Sequence, residues 1–196
     1  MHSKSNQIIA PAQKIALPAG LLRGDHTTEL FGDPETRKMH ALSNGNRVAF
    51  AYAHPLVRLS VQKQLQSDAV AMYDLAHLPE EEALEEYAFC LYGALDATPD
   101  FDETGMPILS ENFLCGMDCH CVKWPSKKIT LNGTPINERQ ITILRLLAND
   151  MPDKAVADTL SITQSTLDHH KRTLMSIAGV FSKTSLVKKA LTENIV

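Results

Sequence analysis

A compact group of metal-ligating side chains lies just past the middle of the chain. Within seven residues the sequence has three thiols, at Cys115, Cys119 and Cys121, and the imidazole of His120 lies among them. Thiolates at positions i, i+4 and i+6 of one loop can share a Zn²⁺ ion, with His120 or the distant Cys90 as the fourth ligand. The group therefore predicts a zinc site, although its spacing differs from the common C-x₂-C pattern.

Two other interpretations of the thiols stay open. A close thiol pair can act as a redox switch, or the three cysteines are packed or idle in their loop. Cys90 alone lies on the apolar stripe of a predicted helix. At such a position a cysteine usually behaves as a small buried residue.

Other candidate chemistries have less support. The acidic stretch Asp96–Glu103 also contains Asp100 and Asp102, but it lacks the glycine and the bidentate glutamate of an EF-hand. We expect this stretch to be a solvated linker or a partner-facing surface. The sequence has no glycine-rich phosphate loop, no HExxH motif and no Ser, His and Asp trio in a recognisable context. It therefore predicts no enzyme.

Composition limits the class of protein. In 196 residues no run approaches the ~18 consecutive apolar residues of a membrane span, and no signal-peptide core is evident. Four cysteines are too few for a disulfide scaffold of this size. We therefore expect a cytoplasmic protein with no membrane partner, whose cysteines are reduced thiols or metal ligands.

Charge is divided unevenly along the chain, whose formal net charge is −4. Residues 137–196 have eight basic and six acidic residues, whereas residues 1–136 have eleven basic and seventeen acidic ones. The asymmetry indicates an acidic front part and a mildly basic tail domain.

The front two-thirds has weak secondary-structure signals. We expect little order in residues 1–36 and regular structure from about Arg47. Hydrophobic spacing predicts a buried strand at 48–52, a helix at 55–66 and a second strand at 69–75. The helix at 55–66 would turn Leu56, Leu59 and Leu65 inward.

Two later elements have clear local signals. Pro79 followed by three glutamates begins a helix that continues to Gly93. Asn132-Gly133, between β-type residues, predicts a tight hairpin within 129–136. Trp124 just after the cysteines is expected to anchor their loop to a helix.

Four short helices follow from residue 137, each with its own start signal. The predicted N-terminal caps are Asn137, Asp153, Thr163 and Ser182, and Gly179 closes the third helix. The second and third helices are joined by a three-residue turn, and the third has a polar, basic outer face. This arrangement is typical of a helix-turn-helix.

Four sub-motifs agree with one family in order and spacing. These are NERQITILRLLA at 137–148, DKAVADTLSIT at 153–163, STLDHHK at 165–171 and GVFSKTSLV at 179–187. Together they resemble the LuxR/NarL-type DNA-binding domain over about 60 residues, almost a third of the chain. The sequence departs from the family at three positions. The family usually has acidic residues where Gln140 and Ala155 stand, and a glycine near Asp150.

The resemblance implies double-stranded DNA as a partner, with the third helix in the major groove. It assigns base-edge contacts to Asp168, His169 and Arg172. Arginine can bond bidentately to guanine, and a carboxylate can accept from cytosine. Gln164 and Lys171 lie on or beside the same face. The expected phosphate contacts are Lys154, Thr163, Ser165, Thr166, His170 and Lys183. In relatives the fourth helix forms the dimer contact, which here implies a homodimer through Leu186, Ala190 and Leu191. The alternative is that these three residues serve the core of their own domain alone.

The segment from Arg47 to Arg58 resembles the opening strand and helix of a response-regulator receiver domain. The paired acids that hold Mg²⁺ there would fall at Tyr52 and Ala53, and no evident phospho-acceptor aspartate follows. A working phosphorylation site is not predicted. A shortened receiver remnant and chance similarity remain as alternatives.

Together these features predict a mainly α protein in four parts. A poorly ordered segment (1–36) precedes a small α/β sensory or interaction domain (37–110), a linker with the cysteine loop and hairpin (111–136), and a four-helix LuxR-type helix-turn-helix domain (137–196). The predicted function is sequence-specific transcription regulation, with a signal or protein partner at the front. The alternative is a protein-interaction regulator whose helix-turn-helix no longer binds DNA specifically.

Overall fold

A computed structural model describes residues 16–108, 111–116 and 119–196. Residues 1–15, for which we expected little order, lie outside the described residues. The described residues form five strands and seven α-helices. Their buried apolar side chains form two clusters, one from Leu30 to Trp124 and the other from Ile129 to Ile195. The boundary between the clusters falls inside the segment 111–136 that we predicted to be a linker.

The first cluster is built on a three-stranded antiparallel sheet of β1 (Glu29–Gly32), β2 (Met39–Ser43) and β3 (Asn46–Ala49), with β2 in the centre. The β2–β3 turn is Asn44-Gly45, with φ of 49° and 75°. Positive φ at both central residues is the backbone of a tight hairpin that favours Asn-Gly. The prediction that regular structure begins near Arg47 is therefore wrong, and β1 lies inside the segment expected to be poorly ordered.

The same sheet excludes the receiver interpretation for residues 47–58. A receiver has a doubly wound parallel sheet, whereas β3 is an edge strand paired antiparallel to β2. The predicted buried strand at 48–52 is also wrong, because β3 ends at Ala49 with all four residues exposed. A 3-10 helix (Phe50–Tyr52) follows and buries Phe50.

Three helices follow the sheet: α1 (Pro55–Ser67), α2 (Ala69–Leu75) and α3 (Glu80–Tyr92). Of these, α3 packs against β1 and β2, while α1 and α2 pack against α3 and against each other. The predicted bounds of α1 and α3 are confirmed to within a residue or two. The buried face of α1, however, consists of Val57, Val61 and Leu65, while Leu56 and Leu59 are exposed.

The predicted strand at 69–75 is wrong, because this segment is α2. The carboxylate of Asp68 caps the helix by accepting from the backbone N–H groups of Val70 and Ala71, at 3.1 and 3.0 Å. The short apolar run is compatible with a strand or with a helix. The aspartate that precedes it is a helix N-cap residue and is the signal that favours the helix.

The second cluster begins with the predicted hairpin, formed by β4 (Thr130–Leu131) and β5 (Thr134–Pro135). The helices α4 (Glu138–Ala148), α5 (Asp153–Thr159), α6 (Gln164–Ala178) and α7 (Lys183–Thr192) follow. Asn137, Thr163 and Ser182 cap their helices as predicted. Pro152, rather than Asp153, precedes α5. No helix in the described residues is long and apolar enough to cross a membrane.

All four helices of this cluster end in the same way. A residue with positive φ follows each helix, at Asp150 (55°), Ser161 (51°), Gly179 (66°) and Asn194 (55°). The next residue then donates its N–H to a carbonyl five positions earlier, at 3.0–3.2 Å. This is the Schellman motif, in which glycine is the residue that adopts positive φ without strain. Asp150 therefore has the left-handed backbone conformation that favours glycine, which agrees with the glycine that the LuxR family usually has near this position.

The Asp150→Gly substitution should therefore stabilise the chain by about 0.5–1 kcal/mol, because it relieves a left-handed aspartate. Urea unfolding measures this change. The matched control is Asn149→Gly, since Asn149 has a φ of −79° and gains nothing from glycine. Equal effects of the two substitutions would contradict the assignment.

Candidate nucleic-acid interface

The helix pair α5 and α6 is held by a tight turn. Ser161 donates its N–H to the carbonyl of Asp158 at 3.1 Å, and Ile162 donates to that of Ala157 at 3.0 Å. Thr163 then begins α6 by accepting the N–H of Thr166 on its hydroxyl at 3.1 Å. These hydrogen bonds restrain the turn between the two helices, so the position of α5 determines the direction of α6.

The buried face of α6 fixes which of its residues point outward. Leu167, Leu174 and Ala178 are buried in the cluster. Gln164, Ser165, His169 and Arg172 are exposed, and Asp168 is half-buried. Arg172 donates its Nε–H to the backbone carbonyl of Asp168 at 3.2 Å, which holds the side chain along the outer surface of the helix. The predicted base-contacting residues thus share one outward face.

Lys171 is the exception among the predicted contacts. Its side chain is only 16% exposed, and its ammonium group pairs with Asp153 at 2.5 Å and with Asp168 at 3.1 Å. Burial disfavours the charged lysine, but the hydrogen bonds to Asp153 and Asp168 outweigh burial and raise its pKa. Lys171 therefore ties the start of α5 to α6 and partly neutralises Asp168.

The predicted phosphate contacts lie in different environments. Lys154 is exposed in the first turn of α5, and His170 is half-buried with its ring 6.2 Å from that of His169. The hydroxyls of Thr163, Ser165 and Thr166 form a connected group at the start of α6, with separations of 2.8–2.9 Å.

The last predicted phosphate contact, Lys183, is engaged within the domain. Its Nζ donates to the carbonyl of Met151 at 3.2 Å. This carbonyl lies in the connection between α4 and α5, so Lys183 helps to hold α7 against that connection.

The predicted dimer contact is wrong for two of its three residues. Leu186 and Ala190 are fully buried and belong to the core of their own domain. Leu191 remains, because 53% of it is exposed. The helix α7 has only ten residues, and its apolar stripe packs into the core of its own domain. The same stripe therefore cannot also form a contact with a second copy of the chain.

Gln140 shows how the chain tolerates one departure from the family pattern. Its Oε1 accepts the N–H of Asn137 at 2.9 Å, and its own N–H donates to Oδ1 of Asn137 at 3.0 Å. This reciprocal pair is a capping box, in which glutamine serves as well as glutamate.

The thiols form a separate candidate site. All four cysteines line one cavity of about 470 Å³, and His120 lines it too. The Sγ atoms of Cys115 and Cys119 are 3.4 Å apart. The cysteine loop is tied to α4, because Arg145 donates to the carbonyl of Gly116 at 2.7 Å.

The protonation of these thiols bears on their chemistry. The hydrogen bond with Cys119, together with burial, raises the pKa of Cys115 far above its usual range. Contact with Cys119 lowers the pKa of Cys121, but contact with Cys90 and burial outweigh it and raise that pKa to about 12. Both redox chemistry and metal binding would first require the loss of these protons, because the thiolate is the form that reacts and the form that ligates metal.

The three predicted ligands do not all converge. In the described part of the chain, one set of three potential ligands has all its ligand atoms within 4.8 Å of one another, and that set is Glu29, Asp96 and Glu111. Sequence reasoning missed it, because these residues are far apart in the chain and only Asp96 belonged to the acidic stretch considered.

The thiol loop is anchored as predicted by Trp124. The indole stacks on the ring of Tyr87 at a centroid distance of 5.5 Å, and its Nε1–H donates to Asp74 at 2.9 Å. The anchor fixes the loop to both α2 and α3.

Comparison with known proteins gives matches to the C-terminal part of the chain. The family model described as "Bacterial regulatory proteins, luxR family" matches residues 135–190. The Fimbriae Z protein of Salmonella typhimurium is 33% identical over 61 residues, which cover 31% of this chain and 29% of that protein. No solved structure gives a significant match.

Proposed function

We propose, from the premise that residues 135–190 form a helix-turn-helix domain of the luxR family, that the chain is a DNA-binding transcription regulator. The observation that carries the proposal is the outward face of α6. There a rigidly held helix presents Arg172, His169 and Asp168 together. No catalytic role is part of this proposal.

In the proposed complex α6 lies in the major groove. Arg172 donates two hydrogen bonds to one guanine, and Asp168 accepts from a neighbouring cytosine. The pairing of Asp168 with Lys171 supports this role, because it lowers the repulsion between the carboxylate and the DNA phosphates. The hydroxyls at the start of α6 and the ammonium group of Lys154 hold the phosphates and set the register.

Substitutions on α6 and α5 should separate base reading from phosphate binding. We expect Arg172→Ala to weaken specific binding by about 1–3 kcal/mol and to relax preference at one base pair. Lys154→Ala should weaken binding to all sequences alike and lower the salt slope by about one. Lys154 is a cleaner probe than Lys183, whose loss would also remove the contact with Met151. Fluorescence anisotropy on a selected operator and on scrambled DNA, over a range of salt concentrations, measures both effects.

Arg139→Ala is the matched control, since Arg139 is an exposed arginine on α4, outside the helix pair. If Arg172→Ala behaves like this control on the selected operator, α6 is not the reading helix. Absence of specific binding by the unsubstituted chain would favour the alternative, a protein-interaction regulator.

The regulator is proposed to bind DNA as a homodimer on two half-sites about one helical turn, ~10 bp, apart. Since Leu186 and Ala190 are buried, the contact would involve the exposed side of α7 around Leu191. Leu191→Asp should reduce cooperative binding to paired half-sites at least about tenfold and leave binding to one half-site unchanged. Leu191→Met, which keeps the apolar surface, is the control. A footprint over one half-site, with one chain per duplex at saturation, would refute the dimer.

We also propose that the thiol cluster holds a zinc ion, with Cys90 joining Cys115, Cys119 and Cys121. The 3.4 Å separation of the Cys115 and Cys119 sulfurs is close to the ~3.8 Å edge of a tetrahedral site with Zn–S bonds of ~2.3 Å. Cys90 comes from the rigid helix α3 and lines the same cavity, so a shift of the loop toward α3 would complete the set.

Elemental analysis of protein purified under reducing conditions should find about one zinc per chain. Cys119→Ser and Cys90→Ser should each lose it, whereas His120→Gln should retain it. Loss of zinc in His120→Gln with retention in Cys90→Ser would assign the fourth ligand to the histidine instead. Metal-free protein whose thiols titrate without loss of structure would refute the site.

A further inference from the structure

A group of buried and half-buried carboxylates lies where β1 meets the segment that follows α3. Glu29 on β1 is fully buried, and one of its carboxylate oxygens lies within 4.8 Å of carboxylate oxygens of Asp96 and Glu111, which are likewise that close to each other. The carboxyl group of Asp100, also buried, accepts the N–H of Leu30 at 2.8 Å. Three parts of the chain thus bring carboxyl groups to one place.

Backbone hydrogen bonds hold these carboxylates in position. Oε1 of Glu29 accepts the N–H of Asp96 at 2.7 Å, and Oε1 of Glu111 accepts the N–H of Ala94 at 2.9 Å. Oε2 of Glu29 is buried and has no hydrogen-bond partner in the described part of the chain. A buried acceptor without a donor costs free energy, so such an atom is expected to have a water molecule or a cation as its partner.

The carboxyl groups of this site have little positive charge near them. Burial, reinforced by the nearby charges of Asp96 and Glu111, raises the pKa of Glu29 to about 8. Burial also raises the pKa of Glu111 to about 8, with a further contribution from Asp96 and an opposing one from Lys127. The pKa of Asp100 is raised by burial and by Glu111 and Glu29. The ammonium group of Lys127 is already bound to the carbonyl of Cys90, so compensation for the carboxylates is incomplete.

We propose that Glu29, Asp96 and Glu111 form a binding site for a hard divalent cation, with calcium preferred to magnesium. Ca–O distances are about 2.4 Å, so two oxygens on one calcium ion are at most about 4.8 Å apart. The three carboxylates meet this limit. Magnesium prefers one or two carboxylates and retains most of its water, whereas calcium accepts three carboxylates with water in the remaining positions.

The surroundings allow the ion to enter and to keep water. Asp96 and Glu111 line an open cavity of about 340 Å³. Thr130 of β4 and Glu193, directly after α7, also line this cavity. Asn112, directly after Glu111, donates to the carbonyls of Thr130 and Glu193 at 2.7 and 3.0 Å. The site therefore lies at the junction of the two buried clusters.

Protons and calcium would compete for the same oxygens. In ion-free protein the raised pKa values mean that the folded chain binds more protons than the unfolded chain between about pH 4.5 and pH 8. Stability from these groups is therefore present at low pH and is lost as pH rises toward 8. Calcium should restore it, and should do so more strongly at about pH 8 than at about pH 5.5.

Thermal unfolding of the chelator-treated full chain tests the site independently of DNA binding. At a calcium concentration about 100-fold above the dissociation constant, we expect Tm to rise by about 5–10 °C at about pH 8. The rise should be much smaller at about pH 5.5 and with magnesium in place of calcium. Isothermal titration calorimetry should count about one calcium per chain.

Glu29→Gln should abolish the calcium response while keeping the hydrogen bond to the N–H of Asp96. Glu111→Gln is the second variant, for use if the first fails to fold. Glu103→Gln is the matched control, because Glu103 is exposed in the same acidic stretch and its loss should leave the response unchanged. The proposal is overturned if calcium leaves Tm unchanged while pH alone shifts it, if magnesium acts equally, or if Glu29→Gln and Glu111→Gln both respond as the unsubstituted chain does.

Discussion

One constraint governs the C-terminal part of the molecule: four helices of seven to fifteen residues must share a single small core. Helices this short are marginal by themselves in water, and tertiary packing of an apolar stripe stabilises them. Leu144, Leu167, Leu174 and Leu186 meet in that core and are fully buried. The core therefore uses the inner stripe of each helix, and only the outer faces remain for a partner. For this reason Arg172, on the outer face of α6, is available to a partner, whereas Leu186, on the inner face of α7, is not.

The long connection from α3 to the hairpin has a comparable role for the molecule as a whole. It has little regular structure, yet side chains attach it to both buried clusters. Trp124 attaches it to the first cluster, and Asn112 attaches it to the hairpin and the end of α7. The connection contributes Cys115, Cys119 and Cys121 to the thiol cluster and Asp96 and Glu111 to the proposed calcium site. A rearrangement of this connection would therefore change its contacts with the hairpin and with the end of α7, which belong to the second cluster.

The helix-turn-helix domain was predicted well because local signals mark the ends of its helices. The front part has fewer such signals and was predicted poorly. Asn137, Thr163 and Gly179 are cap residues whose effect is confined to one turn of helix, so their positions predicted helix bounds correctly. In the front part, Asn44-Gly45 has the same hairpin signal as Asn132-Gly133, although regular structure was predicted only from about Arg47. The segment at 69–75 has too few apolar residues to show a period, and its helix depends on the cap at Asp68 and on packing.

The sequence by itself determined the local chemistry of this protein: where helices begin and end, which helix has a polar outer face, and which segments are rich in thiols and carboxylates. Only the tertiary structure decided which side chains are available. It buried Leu186 and Ala190, paired Lys171 with Asp153, and joined Glu29 to Glu111 across about eighty residues of chain. The physical reason is that burial and charge pairing depend on neighbours distant in sequence, whereas capping and turns depend on residues within a few positions.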